Sequence, residues 1–387
     1  MKWEKAKLGE ISISIQPGPF GSQLHSSDYS DSGTPIIMPK DMIEGHISHN
    51  DLAFISEEHV QRLSRHQVHK GNLMVARKGD VRKCVYITEN EEGWMTGSDC
   101  LKVALDENRC FPQFVYYQLR SPFIGKWLET ISIGATMPSI NTGLLSGIEL
   151  QLPSLEKQKQ IADILSKYDL LIRNNQKQIK LLEEAAQRLY KEWFVELRFP
   201  GYENVQIVDG IPSNWKSQGI DEVFSIKYGK TLPTSKISEE GKYPVYGANG
   251  IIGYYENKNC DDYAVLITSR GNGSGDVLRT YDKESFVTNN SFVVKAYNDW
   301  MRFPYIHQLM LSTDFKTICT GSAQPQLTNN SISTIKIVVP NKELIICYCN
   351  HVQEIYTKMI VLTKENRLLQ ETRDRLLPKL MAGEIEL

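Results

Sequence analysis

Two stretches of the sequence place arginine and lysine where an apolar run meets a glycine-containing turn. They are MVARKGDVRK, which begins at Met74, and LITSRGNGSGDVLR, which begins at Leu266. A guanidinium at a strand end can donate paired hydrogen bonds to guanine or phosphate, and glycine lets backbone amides approach a ligand closely. We therefore predict DNA contacts from Arg77, Lys78, Arg82, Lys83, Arg270, Asn272 and Arg279. The alternative is a solvated turn in which each arginine pairs with a nearby acid.

Three shorter stretches add polar side chains of a similar kind. KYGKT contributes Lys230, VYGANG contributes Tyr246 and Asn249, and IIMPKDM contributes Lys40 as the counterpart in the first half of the chain. These side chains suit phosphate, sugar or adenine edges. Asparagine in such a turn can instead support a left-handed backbone, and that alternative stays open for Asn249.

The sequence has no signature of a catalytic or metal centre. YGKT resembles the end of a phosphate-binding loop, but Phe224 stands where that loop requires glycine. GNGSG is followed by a strand-like run rather than by a helix. There is no HExxH and no nucleophile elbow, and the seven cysteines form no CxxC pair. We predict a non-catalytic chain with reduced thiols and neither a metal nor a cofactor of its own.

Composition sets the class of protein. A chain of 387 residues with 41% hydrophobic and 23% charged residues predicts a globular protein of two or more domains. No apolar run reaches the length of a membrane span, and the N-terminal residues lack the apolar core of a signal peptide, so we expect a cytoplasmic protein. The net charge of -2 argues against nucleic-acid binding, although a local basic face can coexist with acidic outer surfaces.

The sequence is a tandem duplication. GATMPSINTGLLSGIELQLP, from Gly134, aligns without a gap with GSAQPQLTNNSISTIKIVVP, from Gly321, at an offset of 187 residues. The same register continues through the segments that follow, and upstream Trp3 resembles Trp215. Each copy is predicted to contain short strands joined by turns, a short helix, a strand ending at the repeated proline, and a long polar segment.

Each long segment has apolar residues spaced alternately four and three apart, which is typical of a coiled-coil seam. The predicted seam residues are Ile161, Leu165, Tyr168, Ile172, Asn175, Ile179, Leu182, Leu189, Trp193, Val352, Ile355, Met359, Leu362, Asn366, Leu369, Arg373, Leu376 and Leu380. Ala186 in the first segment and Tyr348 in the second have the same spacing. Antiparallel pairing sets Asn175 opposite Asn366 and places the Arg373 cation on the Tyr168 ring, whereas parallel pairing would bury Asn175 against Leu362. The alternative is two helices that each lie on their own domain.

The end of the first helix carries an adjacent Trp193 and Phe194. These residues could form a docking surface for another subunit. We favour packing at the junction between the two copies, because Trp193 completes the seam.

Three motifs in this order resemble the specificity subunit of type I restriction-modification systems. They are ATMPSINTGLLSGIELQLPSLEKQKQIADIL, LYKEWFVELRFPGYENVQIVDGIPSNW and LLPKLMAGEIEL, and the resemblance covers essentially the whole chain. The chain departs from the family where Glu-Gln is usual: it has Lys157-Gln158 in the first copy and Leu344-Ile345 in the second.

The resemblance implies a non-catalytic subunit that binds double-stranded DNA. Each of two target-recognition domains would read one half of a bipartite, asymmetric target. The paired helices would set the gap and dock two methyltransferase subunits. Adenine methylation with S-adenosylmethionine, and ATP- and Mg-dependent cleavage by nuclease/translocase subunits, would belong to the partners. From the residues alone, two alternatives remain: a two-headed scaffold that binds protein or sugar, and a self-contained DNA methyltransferase.

The predicted fold class is mixed α+β, with two globular recognition domains separated by a long antiparallel two-helix coiled coil and related by an internal pseudo-two-fold repeat. The predicted bounds are 1–153 and 215–340 for the recognition domains, 154–198 for the first helix, 199–214 for a linker, and 341–387 for the second helix and tail. At about 1.5 Å per residue, the first seam is about 50 Å long. One DNA turn is roughly 34 Å, so half-sites about one turn or slightly more apart would suit such a spacer.

Overall fold

The computed structural model describes residues 3–134, 137–321 and 324–385. The chain divides into two compact units, and the fold is mixed α+β. The first unit comprises the chain up to Leu171 together with the residues from Leu369 onward, and the second comprises Ile172–Leu368. Each unit therefore takes in part of both long helices, which differs from the predicted division by sequence. No helix among the described residues is long and apolar enough to cross a membrane.

The first unit is built around short strands. They are β1 (Glu4–Lys7), β2 (Ser12–Pro17), β3 (Tyr29–Ser30), β4 (Thr34–Ile37), β5 (Met42–Ile43), β6 (His46–Ile47), β7 (Ala53–Ile55), β8 (Leu73–Ala76), β9 (Cys84–Tyr86), β10 (Met95–Thr96), β11 (Cys100–Leu105) and β12 (Glu149–Leu152). One sheet has the order β2-β11-β8-β9 and another the order β10-β4-β7-β3, while β1 pairs with β12 and β5 with β6.

The first unit also contains four short helices and the start of a long one. They are α1 (Glu57–Arg62), α2 (Pro112–Leu119), α3 (Pro122–Ile131), α4 (Thr142–Ser146) and α5 (Leu155–Tyr190). Helix α5 is the first long helix, and it ends in a π-helical turn at Lys191–Val195. Only its residues up to Leu171 belong to the first unit.

The second unit has the same kind of sheets. Its strands are β13 (Ile207–Val208), β14 (Ile211–Pro212), β15 (Lys216–Gly219), β16 (Phe224–Tyr228), β17 (Tyr243–Gly247), β18 (Gly250–Tyr255), β19 (Val265–Thr268), β20 (Val277–Arg279), β21 (Phe286–Val287), β22 (Ser291–Ala296) and β23 (Lys336–Val339). Its helices are α6 (Ile220–Val223), α7 (Phe303–Ser312), α8 (Asn329–Ile332) and the long α9 (Lys342–Ala382).

The duplication is visible in the strand order. The sheet β16-β22-β19-β20 repeats β2-β11-β8-β9, and the pair β15-β23 repeats β1-β12. The parallel pair β17-β21 repeats the parallel pair β4-β10. Both halves contain an inner strand whose four residues are all buried, LMVA in β8 and VLIT in β19. A short run of apolar residues is typical of a strand that is covered on both faces.

Both long helices start at equivalent caps after the repeated proline. Ser154 Oγ accepts from Lys157 N at 3.4 Å, and Asn341 Oδ1 accepts from Leu344 N at 2.9 Å. A side-chain oxygen at this place satisfies an amide that the helix itself leaves unpaired. The N-caps of the short helices α4 and α8, Asn141 and Thr328, are also repeat equivalents.

Within each unit the two long helices pack in opposite directions. In the first unit, Ile161 and Leu165 near the start of α5 share a core with Leu377 and Leu380 near the end of α9. In the second unit, residues near the end of α5 contact the start of α9. The Tyr348 hydroxyl donates to the Ala186 carbonyl at 3.1 Å, and the Trp193 and Tyr348 rings lie 5.9 Å apart. The long helices also share a core with the strands and short helices of each unit, so helix pairing and packing on the sheets occur together.

The described seam residues are all buried or half-buried. Asn175 and Asn366 are 5% and 7% exposed, and Asn366 Nδ2 donates to the Ile172 carbonyl at 3.4 Å. This contact lies within one helical turn of the predicted register. The direct pairing of the two amides stays a prediction.

One predicted contact of the seam is corrected. Arg373 Nη1 lies 2.6 Å from Asp169 Oδ1, and Nη2 lies 2.8 Å from Asp374 Oδ1. The described residues include no contact of this cation with the Tyr168 ring. The carboxylate of Asp169, the residue next to Tyr168, attracts the guanidinium more strongly than an aromatic face does.

Candidate nucleic-acid interface

The turn after β8 presents two of the predicted cations in the first unit. Arg77 is half-buried, and its guanidinium lies 5.6 Å from the centre of the Phe20 ring, which is 54% exposed. Lys78 is exposed, and its Nζ lies 3.0 Å from Asp99. Stacking on Phe20 holds Arg77 in place, while Lys78 reaches solvent.

The turn after β19 is the equivalent turn of the second unit. Arg270 and Asn272 are exposed, and in the described part of the chain Arg270 forms no ion pair. Gly79 and Gly271 adopt φ values of 79° and 85°, which favour glycine. Each turn is therefore built on a left-handed glycine that directly follows an exposed cation.

The backbone hydrogen bonds show which residues of the two turns are equivalent. Gly79 N donates to Pro138 O at 3.0 Å, and Gly271 N donates to Pro325 O at 3.2 Å. Strand bridges join Lys78 to Ser139 and Arg270 to Gln326. Lys78, rather than Arg77, is thus the counterpart of Arg270.

The repeated loop explains this equivalence. Pro138 and Pro325 are 187 residues apart, as are Ser139 and Gln326. The loop holds the turn by the same bonds in both units. The sequence analysis did not single out the exposed loop residues Met137 and Gln324, which precede Pro138 and Pro325. The offset of the repeat is the signal that could have found them.

The other predicted residues of the first unit carry more local partners. Lys40 Nζ donates to the Asp51 carbonyl at 2.5 Å, and Lys83 Nζ donates to the Pro39 carbonyl at 2.9 Å. Arg82 is exposed but lies 3.0 Å from Asp80 and 3.2 Å from Glu129. Arg82 therefore matches the alternative of a solvated turn with paired acids.

Lys40 and Asn249 occupy equivalent positions. Gly97 N donates to Ile37 O, and Thr288 N donates to Tyr246 O, both at 2.9 Å. Lys40 follows Ile37 by three residues, as Asn249 follows Tyr246. Both Lys40 and Asn249 are exposed, so the same place carries a cation in one unit and an amide in the other. Lys230 is exposed as well, and its backbone amide is fixed by Val287.

Two predicted DNA contacts of the second unit are corrected by burial. Tyr246 is 1% exposed; its hydroxyl donates to Asp282 at 3.1 Å and accepts from Tyr281 N at 2.9 Å. Burial raises the pKa of Tyr246 above its usual range, so the phenol stays protonated.

Arg279 has a side chain that is only 4% exposed and lies 2.6 Å from Glu183 of α5. Neither Tyr246 nor Arg279 can reach DNA. Both side chains instead contact the long helices: the Tyr246 hydroxyl accepts from Arg367 of α9 at 3.5 Å, and Arg279 pairs with Glu183 of α5.

Among the described residues, no group of three histidine, cysteine, aspartate or glutamate side chains is placed to hold a metal ion. The candidate site is a set of cations in the first unit, and of cations together with the amides of Asn249 and Asn272 in the second. Such a surface can donate hydrogen bonds to phosphates and base edges.

Comparison with known proteins gives a consistent result. The family model for the type I restriction modification DNA specificity domain matches residues 1–184 and 212–376. The MjaIX specificity subunit of Methanocaldococcus jannaschii is 24% identical over 99% of this chain and 93% of its own length. The HindI specificity subunit of Haemophilus influenzae is 22% identical over 99% of both chains.

The fold has a solved relative. The crystal structure of a type I restriction-modification S subunit from M. genitalium covers 98% of this chain and 96% of its own, with a TM-score of 0.59 and 19% identity. That likeness concerns the fold. Because the family model matches both halves of the duplicated sequence, this chain belongs to the family of type I restriction modification DNA specificity domains.

Proposed function

We propose that this chain is the non-catalytic DNA-reading subunit of a type I restriction-modification complex, with one recognition domain for each half of a bipartite target. The observation that carries this proposal is the equivalence of Lys78 and Arg270. Each is an exposed cation before a left-handed glycine, and each is bridged to the same repeated loop. In a DNA specificity domain, such a cation is placed to bind a DNA phosphate or a base edge.

The two recognition surfaces differ in chemistry, which supports an asymmetric target. Lys78 is a point charge, whereas Arg270 can donate two parallel hydrogen bonds to guanine. The equivalent residues Lys40 and Asn249 also differ in what they can bind: Lys40 is a point charge, whereas the Asn249 amide can pair with adenine. Arg77 and Lys83 lie close in sequence to Lys78, and Asn272 follows Arg270 in the same turn. Lys230 is bridged to Thr288, whose amide donates to Tyr246, three residues before Asn249.

The partners follow from the family rather than from a site on this chain. Two methyltransferase subunits would dock on the long helices and supply S-adenosylmethionine chemistry on adenine. Nuclease/translocase subunits would supply ATP- and Mg-dependent cleavage. The chain alone would then neither methylate nor cleave DNA.

The test is salt-dependent binding of target DNA by the complex of this chain with its methyltransferase. K78A and R270A are each expected to weaken binding about three- to tenfold and to lower the slope of log affinity against log salt by about one. The matched controls are K70A and K258A, whose ammonium groups lie on Glu89 and on Asp261 and Glu284. Equal effects of the test and control variants would contradict the proposed surface.

A further inference from the structure

The two recognition domains pack on the long helices through different side chains at equivalent positions. Asp169 of α5 and Tyr356 of α9 are 187 residues apart, the offset of the repeat. Each side chain contacts the short helix of its own recognition domain: Asp169 contacts α2, and Tyr356 contacts α7. The same place is therefore filled by a carboxylate in one unit and by a phenol in the other.

In the first unit the contact is ionic. Asp169 Oδ2 accepts from the Tyr117 hydroxyl at 2.7 Å, and Arg373 Nη1 lies 2.6 Å from Oδ1. Arg120, at the end of α2, lies 3.9 Å from the same carboxylate and donates to the Tyr116 hydroxyl at 2.5 Å. Burial and the Asp169 charge raise the pKa of Tyr117, so that hydroxyl remains a donor.

In the second unit the contact is between neutral groups. Tyr356 is 1% exposed, and its hydroxyl lies 2.8 Å from His307 Nδ1 and accepts from Gln308 Nε2 at 3.0 Å. Burial lowers the pKa of His307 well below its usual range, with Arg279 adding to the effect. The imidazole is therefore neutral at physiological pH.

Two further pairs of equivalent residues near these positions also differ in size and charge between the units. Arg373, the partner of Asp169, corresponds at the same offset to Ala186, which is fully buried. Gln158, which caps Phe111 at 2.8 Å, corresponds to the buried Ile345. A charged and polar set (Gln158, Asp169 and Arg373) thus stands where the other unit has an apolar and aromatic set (Ile345, Tyr356 and Ala186).

We propose that these two sets make each recognition domain specific for its own position on the helix pair, and thereby fix which half-site comes first in the target. This inference rests on the proposed function. At an offset of 192, Leu309 of α7 corresponds to Tyr117 and Ser312 to Arg120. If the second recognition domain occupied the first position, the half-buried Asp169 would keep Arg373 but lose both its phenol donor and its second cation. Removing partners from a largely desolvated carboxylate is unfavourable.

The experiment is a cycle of two changes in the full-length chain. One change replaces residues 3–153 with a second copy of residues 215–340. The other is D169Y/R373A, which installs the residue types of the second set at the first position. The unfolding temperature of all four chains is measured by circular dichroism. In the native chain D169Y/R373A is expected to lower the unfolding temperature by about 5 °C, and in the exchanged chain to raise it by a similar amount.

The same chains are then assembled with the methyltransferase, and methylated sites are sequenced. The exchanged chain with D169Y/R373A should methylate a target with the second half-site on both sides, at least tenfold more than the exchanged chain with native helices. Equal shifts of the unfolding temperature in both backgrounds would overturn the inference, as would failure of the matched chain to fold. Absence of DNA binding by the native complex, with the opposite shifts retained, would instead count against the proposed function.

Discussion

Asn366 Nδ2 of α9 donates to the carbonyl oxygen of Ile172 in α5, so a buried amide of one long helix is held by the backbone of the other. Asn175, three residues after Ile172, is buried as well. Asn175 Nδ2 and Asn366 Oδ1 have no hydrogen-bond partner among the described atoms. We expect these two side chains to set the register of the helices at a cost in stability.

Replacing both asparagines with leucine, N175L/N366L, is expected to raise the unfolding temperature, because incompletely bonded amides give way to apolar side chains. Thermal unfolding of the double variant measures this. N174L, at an exposed neighbour, is the control and should change little. A lower unfolding temperature of the double variant would show that the two amides pair favourably.

Arg279 is expected to matter for stability and not for DNA. R279A removes the ion pair with Glu183 and the stacking of the guanidinium on Tyr281 and Tyr356. We expect a loss of about 2 kcal/mol, less than for a fully buried pair because Glu183 is half-exposed. Chemical denaturation measures this loss.

The matched variant for this comparison is R270A. It should weaken DNA binding and lower its salt dependence while leaving stability nearly unchanged, since Arg270 is exposed. The salt slope of R279A should equal that of the native complex. A reduced slope in R279A with unchanged stability would reverse the assignment of these two arginines.

Acid should weaken the first unit through His66. This side chain is 3% exposed, and burial, with Arg65 and Lys102 nearby, lowers its pKa from 6.5 to about 4. Between pH 6.5 and 4 the imidazole of His66 is therefore protonated in the unfolded chain but not in the folded chain. The stability due to His66 is lost as the pH falls through this range.

Denaturation across this pH range should show a shallower slope in H66Q than in the native chain. H25Q, at an exposed histidine, is the control and should keep the native slope. An unchanged slope in H66Q would show that other groups cause the acid sensitivity.

The repeat and the seam were readable from the sequence because both are periodic. The offset of 187 predicts that Ser139 and Gln326 are equivalent, and the alternating spacing predicts that residues such as Ile161 and Met359 are buried. Neither inference needs knowledge of the rest of the fold.

The individual contacts were not readable, because each depends on a facing residue from elsewhere in the chain. Arg77 and Lys78 are neighbours at the end of a strand, and successive side chains of a strand point to opposite faces of the sheet. Tyr246 precedes a glycine-rich turn, yet its hydroxyl is bonded to Asp282 and Tyr281 inside the unit. The heptad pattern places Arg373 in the seam, but Asp169, its partner, lies off that pattern and is held by Tyr117 of α2.

The most direct test of the whole account is a map of methylated bases in cells that carry a single domain exchange. Residues 215–340 are replaced by the corresponding domain of a relative with a different target, and genomic methylation is sequenced. Independent reading by two domains predicts that one half of the methylated site changes while the other half stays the same. A change in both halves, or in neither, would contradict it.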